Sequence, residues 1–184
     1  MLFSTIDFII FFIVVLTTIS IFKQKKFQHL FLLFASYFFF YYSSNYLVVL
    51  LIASTILDYY LGFYIWKSSN QIKRKILLII SVCGNLGLLG FFKYADFAIL
   101  QFNILGNSIN INNEIPLLDL ALPIGISFYT FQTISYTVDI YRKKLQPSNS
   151  IFEFALFVSF FPQLVAGPIV RASEFLPQLR AKIE

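Results

Sequence analysis

Residues 46–66 read YLVVLLIASTILDYYLGFYIW, twenty-one residues in which Asp58 is the one formally charged side chain. At about 1.5 Å per residue, a helix of this length spans the roughly 30 Å hydrocarbon core of a bilayer. A soluble core helix has no need of so long an uninterrupted apolar run. The stretch therefore predicts a membrane-spanning helix that carries one buried carboxyl group.

The same pattern continues on both sides of this stretch. Of 184 residues, 58% are hydrophobic, 20% aromatic and only 12% charged, whereas an ordinary soluble domain is about a quarter charged. With a mean hydropathy of +0.76, the chain is too apolar for a soluble globule of this size. We predict an all-α, polytopic transmembrane bundle formed as a single membrane domain over 1–184, with no separate soluble domain and about five spans. The predicted spans are Leu2–Phe22, Gln28–Tyr42, Tyr46–Trp66, Ile76–Phe97 and Pro123–Ile140.

Residue counts exclude several classes of function. A single Cys, Cys83, excludes a disulfide scaffold and a cysteine-ligated zinc site. A single His, His29, excludes a multi-histidine metal centre, so we expect no bound metal. The net charge of +5 comes from short basic clusters between apolar runs, which is a membrane-topology signal rather than a nucleic-acid patch. No nucleic-acid partner is expected.

The basic residues predict an orientation. Ten of them lie in alternate loops, at 23–26, 67–75 and 142–144, whereas the other loops contribute only Lys93. Because basic loops stay in the cytoplasm, the N-terminus is expected outside an inner cell membrane. The Asn-rich stretch Gln101–Glu114 is then expected to be an exposed outer loop.

The last apolar run, Ile151–Val170, is broken by Pro162, Gly167 and Pro168. It begins after one basic loop and is followed by further basic residues, which would place both of its ends on the same side. We predict a helix from about Ile151 to Phe161 and then a re-entrant or interfacial turn through Pro162–Pro168. A Pro-kinked sixth span is the alternative.

Polar residues within spans are costly and indicate either packing or function. Asp58, Asn85 and Gln132 are expected at similar depth, as a buried polar layer that either joins the helices or lines a hydrated cavity. Tyr129, Gln132 and Tyr136 share one face of the fifth run, which makes them candidates for lining a substrate path.

Three motifs carry more specific information: NLGLLGFFKYADF at 85–97, LPIGISFYTFQTISY at 122–136 and FVSFFPQLVAGPIVR at 157–171. Together they resemble the membrane-bound O-acyltransferase family, and most nearly its alginate O-acetyltransferase-like branch. The resemblance extends from the first span to Gln178. From the third motif, Gln163, Pro168 and Arg171 join the candidates for the substrate path.

The resemblance implies a membrane enzyme that moves an acyl group from a cytoplasmic thioester, such as acetyl-CoA, to a hydroxyl of an exported polysaccharide. No bound cofactor is implied. Family members use a histidine in the second half of their sequence, and His29 does not match it. We therefore expect this chain to be the N-terminal part of such an enzyme and to be inactive alone. Its expected partners are the lipid bilayer, the donor, the acceptor, and the missing C-terminal half or periplasmic modification proteins. The alternative is a non-enzymatic subunit of polysaccharide export or transport.

Overall fold

The computed structural model of the chain describes residues 5–108, 115–167 and 170–181. Within those ranges, 81% of the residues are helical and there is no strand, which confirms the all-α prediction. The helices are α1 Ile6–Ile21, α2 Lys25–Ser44, α3 Val48–Lys67, α4 Gln71–Ser108, α5 Ile126–Tyr141, α6 Ile151–Ser159, α7 Phe161–Ala166 and α8 Ala172–Arg180.

Two helical runs are long and apolar enough to cross a membrane: Lys25–Lys67 and Gln71–Ser108. The first contains α2 and α3, which are separated by a 3₁₀ turn at Asn45–Leu47, where Asn45 has a positive φ of 50°. Ile6–Ile21 and Ile151–Leu164 are shorter apolar helices. The count of five spans therefore stays a prediction.

Helices α3 and α5 form the centre of the bundle, with α4 packed against both and α6 beside them. Helix α2 packs mainly on α6, while α1 contacts α2 at the edge. The apolar core lies between these helices. Its fully buried members include Leu51 and Ile65 of α3, Tyr136 and Ile140 of α5, and Phe154, Phe157 and Val158 of α6.

Gly62 allows α3 and α5 to approach each other closely. A Cβ atom at this position would lie 2.8 Å from Cε1 of Tyr136 and 3.0 Å from Cδ1 of Ile140. Both distances are shorter than an ordinary van der Waals contact between carbon atoms. Any larger residue at position 62 would push α3 away from α5.

The Asn-rich segment corrects the sequence prediction. Residues 101–108 were expected in a loop, but α4 continues through them to Ser108; residues 109–114 lie outside the described part of the chain. The segment contains no proline, and the lower helix propensity of its polar residues is small enough that the helix can continue through it. The Asn103 side chain instead accepts from the N–H of Ile115 at 2.9 Å and donates to its carbonyl at 2.8 Å.

The last segment matches its prediction in part. Helix α6 begins at Ile151 and ends at Ser159, before Pro162, as expected. Residues 162–166 are helical rather than a turn, because Pro162 lies in the first turn of α7, where a proline needs no backbone donor. The N–H of Phe161 at this break donates to Oγ of Ser36 on α2 at 3.3 Å.

Several basic residues meet at one end of the bundle, which we call the basic end. Lys25 donates to the carbonyls of Arg180 and Ala181, and Arg180 pairs with Glu153 at 2.9 Å. Arg74 donates to the carbonyl of Tyr141. Because Glu153 lies in the first turn of α6, the segment 151–180 returns to the end at which it starts.

Candidate functional site

Helix α5 carries the candidate site, and its start depends on a glycine. Gly125 is the N-cap residue and has a φ of 73°, a conformation that side chains with a Cβ rarely adopt. A Cβ there would also lie 3.0 Å from the carbonyl oxygen of Leu164 on α7. The glycine therefore starts the helix at Ile126, three residues after the start of the predicted run, and allows α7 to pack against it.

One side of α5 contributes to a hydrogen-bonded group centred on Asp58, whose side chain is fully buried in α3. Ser81 of α4 donates to Oδ1 of Asp58 at 2.6 Å, and Asn85, one turn further along α4, donates to Oδ2 at 2.7 Å. Both carboxyl oxygens thus accept a hydrogen bond from α4. Such short bonds to a buried carboxyl group hold the two helices together.

Helix α5 completes this group with two threonines. Thr133 donates to Oδ1 of Asn85 at 3.2 Å, and the hydroxyl oxygens of Thr137 and Ser81 are 3.0 Å apart. We call Asp58, Ser81, Asn85, Thr133 and Thr137 the Asp58 network. It joins α3, α4 and α5 by side chains that are all buried.

A second group of buried polar side chains has a different character. The side-chain polar atoms of Tyr129, Thr130 and Gln132 on α5, and of Ser159 at the end of α6, have no hydrogen-bond partner among residues 5–108, 115–167 and 170–181. We call these four residues the unpaired set. Each is at most 1% exposed. Leaving a buried polar group unpaired costs about 1–3 kcal/mol, so such groups indicate a water molecule, a ligand or another chain.

The residues predicted to line the substrate path on α5 therefore differ in their hydrogen bonding. Tyr129 and Gln132 belong to the unpaired set and lie three positions apart, which puts them on the same face of α5. Tyr136 lies one turn further, but its hydroxyl accepts the N–H of Ser148 at 3.1 Å. Tyr136 thereby anchors the loop between α5 and α6.

The three candidates from the third motif lie elsewhere. Gln163 is buried in α7 at 6% exposure, and Arg171 is the exposed N-cap residue of α8. Pro168 lies outside the described residues. The structure therefore places Gln163 near the start of α5, where its neighbour Leu164 meets Gly125, and leaves Arg171 at the surface.

The predicted polar layer of Asp58, Asn85 and Gln132 is brought together only in part. Asp58 and Asn85 are hydrogen bonded, whereas Gln132 belongs to the unpaired set and its neighbour Thr133 contacts Asn85. Sequence reasoning missed Ser81, Thr133 and Thr137. The available signal was their spacing, since Ser81 precedes Asn85 by one helical turn and Thr137 follows Thr133 by one.

Two other features limit the chemistry of the site. His29 is half-buried in the second turn of α2 and lines a cavity at the basic end with Lys26 and Glu153. In the described part of the chain, no three His, Cys, Asp or Glu residues come together in a way that could hold a metal ion. The site can thus orient hydroxyl groups and water, but the described residues provide no metal centre.

An all-helical chain with long apolar runs and a few buried polar side chains is typical of a membrane protein. Comparison with known sequences defines its class further. It is 36% identical to a peptidoglycan O-acetyltransferase of Helicobacter pylori over 153 residues, which cover 70% of this chain and 28% of that protein. It is 37% identical to a probable alginate O-acetylase, AlgI, of Pseudomonas aeruginosa over 125 residues, covering 67% of this chain and 24% of that protein. The AlgI of Azotobacter vinelandii is 35% identical over 127 residues, covering 68% of this chain and 25% of that protein.

The chain is thus a homologue of O-acetyltransferases of the membrane-bound O-acyltransferase family, which confirms the resemblance inferred from its three motifs. It spans about a quarter of the length of these relatives. No family model matches the chain, and no solved structure matches it.

Proposed function

We propose that this chain takes part in the transfer of an acetyl or other acyl group to a hydroxyl of a cell-envelope polysaccharide. The observation that carries this proposal is the homology to proteins named as peptidoglycan and alginate O-acetylating enzymes. The donor is a cytoplasmic thioester such as acetyl-CoA, and the acceptor is an exported polysaccharide. The thiol leaves as the hydroxyl oxygen forms its ester bond to the acyl carbon.

The proposed setting is an inner cell membrane, with five spans, the N-terminus outside and the basic end in the cytoplasm. The clustering of Lys25, Arg74 and Arg180 at one end of the bundle supports this orientation. The contact between Arg180 and Glu153 supports a re-entrant segment, because both ends of 151–180 then lie on the cytoplasmic side.

Within this setting, the unpaired set is proposed to line the path of the acceptor. Tyr129 and Gln132 offer a hydroxyl and an amide that have no protein partner in the described residues. A sugar hydroxyl or a water molecule could satisfy both groups, because each can donate and accept. Gln163 and Arg171 are proposed to belong to the same path through α7 and α8, and Tyr136 to hold the loop beside it.

The proton of the attacking hydroxyl needs a base. The one histidine of this chain, His29, lines a cavity at the basic end and does not belong to the unpaired set. We therefore propose that residues 1–184 position the acceptor, that the base comes from outside these residues, and that the isolated 184-residue chain has no turnover with acetyl-CoA.

Gln132→Met, encoded in the natural bacterial host, tests this role. The substitution keeps the side-chain volume but removes the amide. We expect the O-acetyl groups per sugar, measured as acetate released by mild alkali, to fall to the level of a strain that lacks the gene. Gln101→Met makes the same chemical change at an exposed position on α4 and should leave acetylation unchanged.

The same strains separate this proposal from a role in polysaccharide export. An export subunit would lower the amount of exported polysaccharide and leave the acetate per sugar unchanged. Immunoblots of the membrane fraction show whether the Gln132→Met chain is present at the wild-type level. Full acetylation in the strain that lacks the gene would overturn the proposal.

A further inference from the structure

A cavity of about 400 Å³ lies at the basic end, between the turn that joins α3 to α4 and the residues that follow α5. Its volume is within the range of small-ligand sites, about 300–1,000 Å³. Three of its lining residues in the described part of the chain are cationic and none is acidic. The lining includes Trp66, Lys67, Ser68, Gln71, Arg74 and Lys143.

Arg74 forms the fixed part of this cavity. It is 4% exposed, and its Nε donates to the carbonyl of Ile65 at 3.1 Å while one terminal nitrogen donates to the carbonyl of Tyr141 at 2.5 Å. The guanidinium also lies over the Tyr141 ring, 5.2 Å from its centroid. Arg74 therefore ties the last turn of α3 to that of α5 and offsets the negative ends of both helices.

The other two cations are available to a ligand. Lys67 and Lys143 are exposed, and Lys143 has a positive φ of 60° in the turn that follows α5. The positive end of α4 adds to their field, although Asn70 already accepts the N–H groups of Ile72 and Lys73. The cavity thus combines positive potential with serine and glutamine hydrogen-bond donors.

We propose that this cavity binds a phosphate group, carried either by the head group of an anionic phospholipid or by a soluble phosphate compound. Cationic cavities between the cytoplasmic ends of membrane helices bind anionic lipid head groups, and Trp66 at the rim is typical of the membrane–water interface. The site is separate from the unpaired set and does not depend on the proposed acyl transfer.

Trp66 is the one tryptophan of the sequence, so its fluorescence reports directly on the cavity. The full chain, purified in a neutral detergent, is titrated in one arm with sodium pyrophosphate. In the second arm it is titrated with phosphatidylglycerol that carries brominated acyl chains, and brominated phosphatidylcholine serves as the reference. The double variant K67Q/K143Q removes the two exposed cations and keeps Arg74.

The double variant K73Q/K75Q is the matched control. Lys73 and Lys75 are exposed in the first turns of α4 and lie outside the lining of the cavity, so the control removes the same net charge nearby. Circular dichroism verifies that both variants remain helical. All four lysines are exposed, so folding is expected to be unaffected.

Binding should weaken by about tenfold or more in K67Q/K143Q and change by no more than about twofold in K73Q/K75Q. Quenching by phosphatidylglycerol alone identifies a lipid head group, and a response to pyrophosphate identifies a soluble phosphate. The proposal is overturned if neither probe binds, or if both double variants lose binding equally, because the attraction is then that of general surface charge.

Discussion

The Asp58 network and the unpaired set differ sharply, although both include residues of α5. Thr133 of the network and Gln132 of the unpaired set are even adjacent in sequence. In the network, hydrogen bonds of 2.6–2.7 Å join the carboxyl group of Asp58 on α3 to the side chains of Ser81 and Asn85 on α4. In the unpaired set, the amide of Gln132 has no partner in the described part of the chain. One group therefore holds helices together, whereas the other has no hydrogen-bond partner within the described part of the bundle.

Helical geometry explains how one helix carries both groups. Thr133 and Thr137 are four residues apart and face α4, while Tyr129 and Gln132 are three residues apart on the neighbouring face. The hydrocarbon core of a membrane offers no hydrogen-bond partner to either face. The two groups therefore differ in what they contribute to the free energy of unfolding, and substitutions in them should have opposite effects on stability.

The largest effect is expected from Asp58→Leu, which breaks the network at its centre. The hydroxyl of Ser81 and one N–H of Asn85 lose their carboxyl acceptor, while the Asn85 amide keeps its bond to the carbonyl of Ser81. Each buried donor left unpaired costs about 1–3 kcal/mol. We expect a loss of about 2–4 kcal/mol in the free energy of unfolding, measured by SDS titration of the micelle-bound chain with circular dichroism.

Asp58→Asn is the control for that experiment, because it keeps the volume and one acceptor oxygen. Its loss should be smaller than that of Asp58→Leu. Equal stability of Asp58→Leu and the wild type would mean that the network does not hold α3 to α4, and the contrast with the unpaired set would disappear.

A smaller effect is expected from Gly62→Ala, which tests whether close packing of α3 on α5 supports the network. The added methyl group would lie 2.8 Å from the Tyr136 ring, and overpacking of this kind costs about 1–3 kcal/mol. Gly87→Ala is the matched control on α4, because a Cβ there meets nothing within 4 Å. Alanine at position 87 should leave stability unchanged or raise it by up to about 1 kcal/mol. Equal effects of the two substitutions would contradict the role given to Gly62.

Much of this fold follows from the apolar runs, because lipid requires long helices with internally satisfied backbones. The runs around α2 and α3 were placed to within a few residues. The end of α4 was not, since polar residues such as Asn103 and Asn107 suggested a loop and nothing in the pattern revealed that the helix continues to Ser108. The helical α7 was also missed, because Pro162 interrupts one helix and begins another equally well.

The site was predictable only to the level of residue type and helix face. Spacing predicted that Asp58 and Asn85 belong to a buried polar layer, but it could not predict the rotation of α5 about its axis. That rotation decides whether Gln132 or Thr133 contacts Asn85. It depends on the packing of Gly62 and Tyr136, which are far apart in sequence.

The smallest and most discriminating effect is expected from two matched substitutions of tyrosine by phenylalanine on α5. Tyr136→Phe removes the acceptor of the Ser148 N–H at 3.1 Å and should cost about 1–2 kcal/mol in the free energy of unfolding. Tyr129→Phe removes a hydroxyl that has no partner in the described residues, so it should leave stability unchanged or raise it by up to about 1 kcal/mol. Both rings are fully buried, and neither change alters the apolar packing.

If Tyr129→Phe destabilised the purified chain as much as Tyr136→Phe, the Tyr129 hydroxyl would be bound within the bundle and unavailable to an acceptor. A stable Tyr129→Phe chain with reduced O-acetylation in the natural host would instead assign that hydroxyl to the transferred or accepting molecule.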